Sequence, residues 1–151
     1  MDLGDIDLSF YYACKYGESD VVEQLLEDGY DVDVNKIGED CKTPFYVACE
    51  KGYFKIVKLL LNDKRVDINK PNNDGETPLH IICSNGWIEI VKFLLSRREV
   101  DLDPKNKYGK TATETVREIE KEEKSFWESE EQFHKRKRNY REMIKILESY
   151  E

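Results

Sequence analysis

The side chains with the most evident capacity for chemistry are three regularly spaced cysteines, two histidines and a run of four cations. Cys14, Cys49 and Cys83 recur at intervals of 35 and 34 residues, which would set one thiol at the same place in successive structural units. Thiols in register suggest a metal or a disulfide, but neither fits. Packed helices lie about 8–10 Å apart, a disulfide needs α-carbons within roughly 7 Å, and no Cys-x-x-Cys pair exists to seed a zinc set. These cysteines read as small buried apolar residues, and Cys41, outside the register, is the expected exposed thiol. With no disulfide framework evident, a reducing compartment is expected.

His134 stands in a charged stretch with no serine or cysteine motif beside it, so general-base catalysis lacks a nucleophile to serve. The glycines are dispersed one or two per unit and form no phosphate-binding loop. An enzyme is not expected, nor is a cofactor or a metal. Lys135-Arg136-Lys137-Arg138 could act as a nuclear-import patch or touch nucleic acid, but residues 118–131 just upstream hold seven acids and two bases. A solvated helix face paired with Glu118 to Glu131 is therefore the expected role of the basic run.

The formal charge of -8 is unevenly spread: -10 over residues 1–40, +3 over 41–116 and -1 over 117–151. A net acidic chain is a poor general ligand for nucleic acid or anionic membranes, and its amino-terminal end should prefer a basic partner surface. Met1-Asp2-Leu3-Gly4-Asp5 lacks the basic start of a secretory signal, and no stretch of about 18 apolar residues occurs. A cytoplasmic location is expected, with the nucleus compatible.

The elements that hold these residues emerge from internal repetition. Val32-Asp33-Val34-Asn35 recurs 34 residues later as Val66-Asp67-Ile68-Asn69, and after 34 more as Val100-Asp101-Leu102-Asp103. The same shift carries Thr43-Pro44-Phe45-Tyr46 onto Thr77-Pro78-Leu79-His80 and then onto Thr111-Ala112-Thr113-Glu114. Ala13-Cys14-Lys15-Tyr16-Gly17 matches Ala48-Cys49-Glu50-Lys51-Gly52 at 35, which adds a first unit and makes four. Within a unit, Thr77 can cap a helix, Pro78 suits its first position, and Gly86 can close it. Ile88, Ile90, Val91, Leu94 and Leu95 then carry the apolar spacing of a second helix, and Asn72-Asn73-Asp74-Gly75 reads as a turn between units.

Gly75-Glu76-Thr77-Pro78-Leu79-His80 and Ile88-Glu89-Ile90-Val91-Lys92-Phe93-Leu94-Leu95 resemble the signature and second-helix pattern of the ankyrin repeat. The resemblance covers roughly residues 7–116, with a weaker return at Glu142-Met143-Ile144-Lys145-Ile146-Leu147. It implies an all-α fold: an ankyrin-repeat solenoid of four helix-turn-helix units, about 5–39, 40–73, 74–107 and 108–151, in a single domain over 1–151 with an elongated C-terminal helical pair. It also implies that His80 hydrogen-bonds its own turn and helix start. Unit two has Cys41 where the signature glycine stands and Tyr46 for the histidine; unit one has Leu8-Ser9-Phe10-Tyr11 in place of the motif.

Such stacks grip protein partners with turn tips and the exposed side of the first helices, on a concave face. Carried onto this chain, those positions are Lys15 and Tyr16; Glu39, Asp40, Lys42, Glu50 and Lys51; Asn73, Asp74, Glu76, Ser84 and Asn85; and Lys107, Tyr108 and Lys110. Tyr16 and Tyr108 are the expected anchors, because aromatic side chains supply much of an interface's energy while scattered charges chiefly steer encounter. Trp87 and Tyr53, at matching places after the mid-unit glycine, read as an architectural slot rather than a ligand pocket. The expected function is a protein-protein interaction module, monomeric, with a protein partner, no membrane and no nucleic acid.

The last unit departs from the pattern, its second-helix segment arriving 19 residues late. A helical insertion at about 118–138 is expected, with Val116, Ile119 and Phe126 on one stripe and Phe133, Tyr140, Ile144 and Leu147 on another. Ser125-Phe126-Trp127-Glu128 and Ser129-Glu130-Glu131-Gln132 both fit a capping box, which sets a turn near 124–129 between two lengthened antiparallel helices. Burial of Phe126, Trp127, Phe133 and Tyr140 should hold that pair. A second role the sequence allows is a regulatory or scaffold module contacted through these C-terminal helices.

Overall fold

The computed structural model describes residues 5–97 and 100–151. The first four residues, whose lack of a basic start entered the reading of compartment, lie outside the described residues. Eight α-helices and no strand occur among the described residues: α1 (Ile6–Tyr16), α2 (Ser19–Glu27), α3 (Pro44–Lys51), α4 (Phe54–Leu61), α5 (Pro78–Ser84), α6 (Ile88–Arg97), α7 (Ala112–Lys121) and α8 (Glu130–Ser149). The odd-numbered helices pack side by side in one layer, the even-numbered ones in a second, and each odd helix packs on its successor. The fold is an all-α repeat solenoid. No helix among the described residues is long and apolar enough to cross a membrane.

The helices α3, α5 and α7 each begin where the sequence places a threonine, whereas α1 follows Asp5 and has no side-chain cap. The Thr43 hydroxyl accepts the amide of Tyr46 at 3.0 Å, and Pro44 occupies the next position, where the missing donor costs nothing. Thr77 and Thr111 do the same for His80 and Glu114, whose side chains accept the threonine amides in return at 3.1 and 2.8 Å. The reciprocal bonds satisfy two orphan donors at each helix start.

The 34-residue recurrence joins units to each other. Val32, Val34, Val66 and Ile68 are buried, while the alternating polar residues form a staircase. Asp7 accepts the amide of Asp33 at 2.8 Å, Asn35 that of Asp67 at 2.8 Å, and Asn69 that of Asp101 at 3.1 Å. The Asp7 bond closes the first unit, and the Asn35 and Asn69 bonds each satisfy a backbone donor of the following unit.

The C-terminal pair is antiparallel: Arg117 meets Glu148 at 2.7 Å, whereas Glu120, further along α7, meets Arg141, earlier in α8, at 2.8 Å. A single uninterrupted helix is ruled out. The lengthening, however, falls almost wholly on α8, with 20 residues; α7 has 10 and stops at Lys121. Ser129 and Gln132 make the reciprocal cap that starts α8, but Ser125 and Glu128 close a turn instead, the Glu128 amide donating to the Ser125 carbonyl at 3.0 Å.

Phe126 and Trp127 do not hold the pair together; they are 101% and 85% exposed. The seam is made by Tyr140, Met143 and Leu147, all buried, against Val116, with Phe133, Ile144 and Ile119 half-buried at its margins. The physical reason is reach. α7 ends before Phe126, so the following residues leave the helix axis and their rings have no facing element. Met143 and Leu147, each worth roughly 1.5–3 kcal/mol when fully buried, supply what the two rings do not.

Candidate protein-binding surface

The turn tips form one ridge. In each tip a five-residue turn is closed by the same backbone bond: Gly38 to Lys42 at 2.9 Å, Asn72 to Glu76 at 2.8 Å and Asn106 to Lys110 at 2.9 Å. Neighbouring tips are then bonded to each other, Asn73 amide to Asp40 carbonyl at 2.9 Å and Lys107 amide to Asp74 carbonyl at 2.8 Å. Inside the second and third turns, the carboxamide oxygens of Asn72 and Asn106 each accept two further amides. Gly38 stands at that place in the first turn, and the ring of Tyr11 fills the space: a β-carbon on residue 38 would meet it at 2.1 Å.

His80 ties a tip to the helix behind it. Its Nδ1 accepts the Thr77 amide at 3.1 Å, so the proton sits on Nε2, which donates to the Lys110 carbonyl of the next tip at 2.9 Å. Tyr46, at the equivalent place one unit earlier, uses its hydroxyl to accept from the Asn72 carboxamide at 3.0 Å. Burial, chiefly, pushes the Tyr46 hydroxyl well above the usual phenol range, with the carboxylate of Glu76 adding to it, so the group stays neutral.

Most of the sequence-predicted residues face this ridge. Glu39, Asp40, Asn73, Lys107 and Tyr108 are exposed on the tips, with Asp74, Glu76, Lys42 and Lys110 half-buried behind them. From the first helices, Lys15 reaches Glu39 at 3.9 Å, and Lys42 reaches Glu50 at 2.9 Å, while Lys51 is exposed. Lys107 reaches Asp74 at 3.2 Å, and Lys110 pairs with Glu118. The ridge therefore runs from acidic at Glu39 and Asp40 to basic at Lys107 and Lys110. Tyr16 and Tyr108 are 64% and 68% exposed.

Two predicted positions are drawn off the ridge. The hydroxyl of Ser84 donates to the His80 carbonyl at 2.9 Å, and its own carbonyl accepts the Tyr140 hydroxyl at 2.8 Å. Asn85 donates to the Glu50 carbonyl at 3.0 Å and lines a cleft against α8. One residue went unpredicted: Tyr12 is exposed and stacks on Tyr16, with centroids 5.9 Å apart and rings 10° from parallel. Its signal was the Leu8, Tyr12, Tyr16 spacing, an exposed apolar stripe one helical turn apart.

Among the described residues no group of three or more His, Cys, Asp or Glu side chains is placed to hold a metal ion. Burial raises Cys14 to about 12 and pushes Cys49 and Cys83 higher still. These thiols have none of the electropositive, partly exposed surroundings of a reactive cysteine.

No curated protein matches the chain as a relative. The profile of a family described as "Ankyrin repeats (many copies)" matches residues 10–61 and again 46–95. Those spans run from within α1 to the end of α4 and from within α3 to nearly the end of α6, where threonine caps, stacked helix pairs and bonded turn tips recur in register. On that match and that architecture, the chain belongs to the ankyrin-repeat family.

Proposed function

We propose that this protein binds a partner protein along the ridge of its turn tips and the adjoining first helices, with Tyr16 and Tyr108 as anchors. Ankyrin repeats are generally protein-protein interaction modules and typically not enzymes. The observation that carries the reading is the rigidity of the ridge: each tip is bonded within itself and to its neighbour, yet Glu39, Asp40, Asn73, Lys107 and Tyr108 are turned to solvent. A surface fixed before binding loses little conformational freedom on binding. The gradient from Glu39 and Asp40 to Lys107 and Lys110 favours a partner strip of the opposite order, basic at the amino-terminal end.

Comparative capture from native cells tests it, using the chain beside a variant carrying Tyr16→Ala, Tyr108→Ala and Lys110→Ala. All three side chains can be removed without touching the core, and the Lys110 carbonyl that holds His80 remains. A captured protein lost from the variant supports the reading; an unchanged set refutes this choice of surface.

A second reading, contact through the C-terminal helices, draws on the basic run. Arg136 grips Glu128, and Lys137 and Arg141 meet Glu120, so only Lys135 and Arg138 of the run are exposed and without an ion pair among the described residues.

A further inference from the structure

The turn between α7 and α8 carries the two most exposed large apolar side chains of the described residues, Phe126 and Trp127. It is not slack. Arg136 clamps Glu128 through two parallel bonds, Nε to Oε1 at 2.8 Å and Nη2 to Oε2 at 3.0 Å, and Nη2 also reaches the Glu123 carbonyl at 3.3 Å. Lys137 donates to the Glu120 carbonyl on the other side. Two-pronged guanidinium-carboxylate bonding is among the stronger polar contacts, so the turn holds its two rings out from a fixed base. Two consecutive, largely exposed aromatic side chains are of the kind that marks a contact surface.

A cleft of about 620 Å³ opens close by, between the α5–α6 turn and α8. Asn85, Gly86 and Tyr140 line it together with Lys135, Arg138 and Glu142, the last a carboxylate already paired with Lys92 at 3.0 Å. Its size lies within the roughly 300–1,000 Å³ of ordinary binding clefts. Trp127 of the same chain does not fill it. Around the rings, Glu122 and Glu123 are exposed and make no ion pair among the described residues; Lys135 and Arg138 at the cleft make none either. An acid-flanked aromatic tip and a base-rimmed cleft thus lie side by side at one end of the molecule, complementary to each other and each unsatisfied within one chain.

We propose that two copies of this chain exchange these tips, Phe126 and Trp127 of each copy seating in the Asn85–Gly86–Tyr140 cleft of the other. Because tip and cleft are neighbours, one two-fold axis satisfies both, and the assembly closes as a dimer. The area is sufficient. Four aromatic side chains bury about 150–250 Å² each, and with an equal area from the receiving clefts the total reaches roughly 1,200–2,000 Å², the range of a specific interface. The dimer departs from the monomer expected of the sequence, and it leaves the turn-tip ridge free.

Sedimentation equilibrium of the full chain across the micromolar range tests the exchange. The expected result is a reversible dimer that weakens with added salt, its association accompanied by a shift of tryptophan emission to shorter wavelength. Trp127→Ala should raise the dissociation constant about 30-fold or more, and so should Lys135→Glu with Arg138→Glu. Both variants change exposed side chains, and an unchanged melting temperature at a concentration where every chain is a monomer verifies their folding. Mixing the two variants should recover part of the association, because one intact tip and one intact cleft remain. A monomer throughout, whether the tip then binds lipid vesicles or some other protein, overturns the proposal. So does a dimer indifferent to both variants.

Discussion

The indole of Trp87 lies over Gly52 so closely that a β-carbon there would meet the ring at 2.8 Å. The contact recurs along the stack: Tyr53 covers Gly17 at 3.0 Å, and at the carboxyl end Tyr140 and Asn139 of α8 cover Gly86, each at 3.3 Å. α8 thus enters from a different point in the chain and takes the place that Tyr53 and Trp87 take in earlier units. Gly52 also has φ of +70°, so Gly52→Ala combines left-handed strain with overpacking and, less glycine's entropy in the unfolded chain, should cost about 1.5–4 kcal/mol. Gly109 has φ of +74° but nothing near its missing side chain, and Gly109→Ala, after the entropy that glycine gives the unfolded chain is subtracted, should cost only about 0.5–1 kcal/mol. Urea denaturation of both variants checks the difference; equal losses would remove the ring contact from the account.

Much of this architecture was legible because each repeated residue has a local job. Thr43, Thr77 and Thr111 cap helices wherever they occur, and the recurring cysteines sit where the spacing puts them. The slot shared by Tyr53 and Trp87 was readable for the same reason. The last unit was harder. Phe126 and Trp127 look like core residues by type, and their exposure depends on where α7 stops, which the capping pattern at Ser125 misplaced. Met143 was missed because its neighbour Ile144 is the more apolar residue, yet the rotation of α8 favours Met143. On the ridge, Tyr12 was missed because its equivalent one unit later, Val47, is buried.

Cys41 stands where Gly75 and Gly109 close the later turns, and it has φ of 60°. A side chain in that region is strained by about 1–2 kcal/mol, from which glycine's extra freedom in the unfolded chain subtracts roughly 0.5–1 kcal/mol. Cys41→Gly should therefore stabilise the protein by about 0.5–1 kcal/mol. A lower denaturation midpoint for the variant would contradict that accounting.

The four thiols should separate cleanly by reactivity. Cys41 is exposed, whereas Cys14, Cys49 and Cys83 are buried and held protonated. At mildly alkaline pH one thiol per chain should react quickly with a disulfide reagent, Cys41→Ser should abolish that phase, and the other three should react only on unfolding. The sign for stability follows. The buried thiols keep protons that the unfolded chain releases above its ordinary thiol value near 9.0, so stability is full below that pH and falls toward about 12, where Cys14 ionises in place. Stability unchanged over this interval would count against their burial.

Tyr140 joins α8 to the stack through both its ring and its hydroxyl. Tyr140→Phe removes the 2.8 Å bond to the Ser84 carbonyl and should cost about 1 kcal/mol, while Tyr140→Ala empties the slot over Gly86 and should cost about 3–5 kcal/mol. Limited proteolysis should then cut Tyr140→Ala early in residues 122–129, leaving the wild type intact there. At concentrations where the chain is a monomer, Phe126→Ala should change neither stability nor cleavage.

The ridge is tested most directly by hydrogen-deuterium exchange on the chain with and without a captured partner bound. Protection concentrated at residues 39–42, 73–76 and 107–110, with the carboxyl end of α1, is the predicted footprint. Protection confined to the even-numbered helices or to α8, with the tips exchanging as in the free protein, would contradict it.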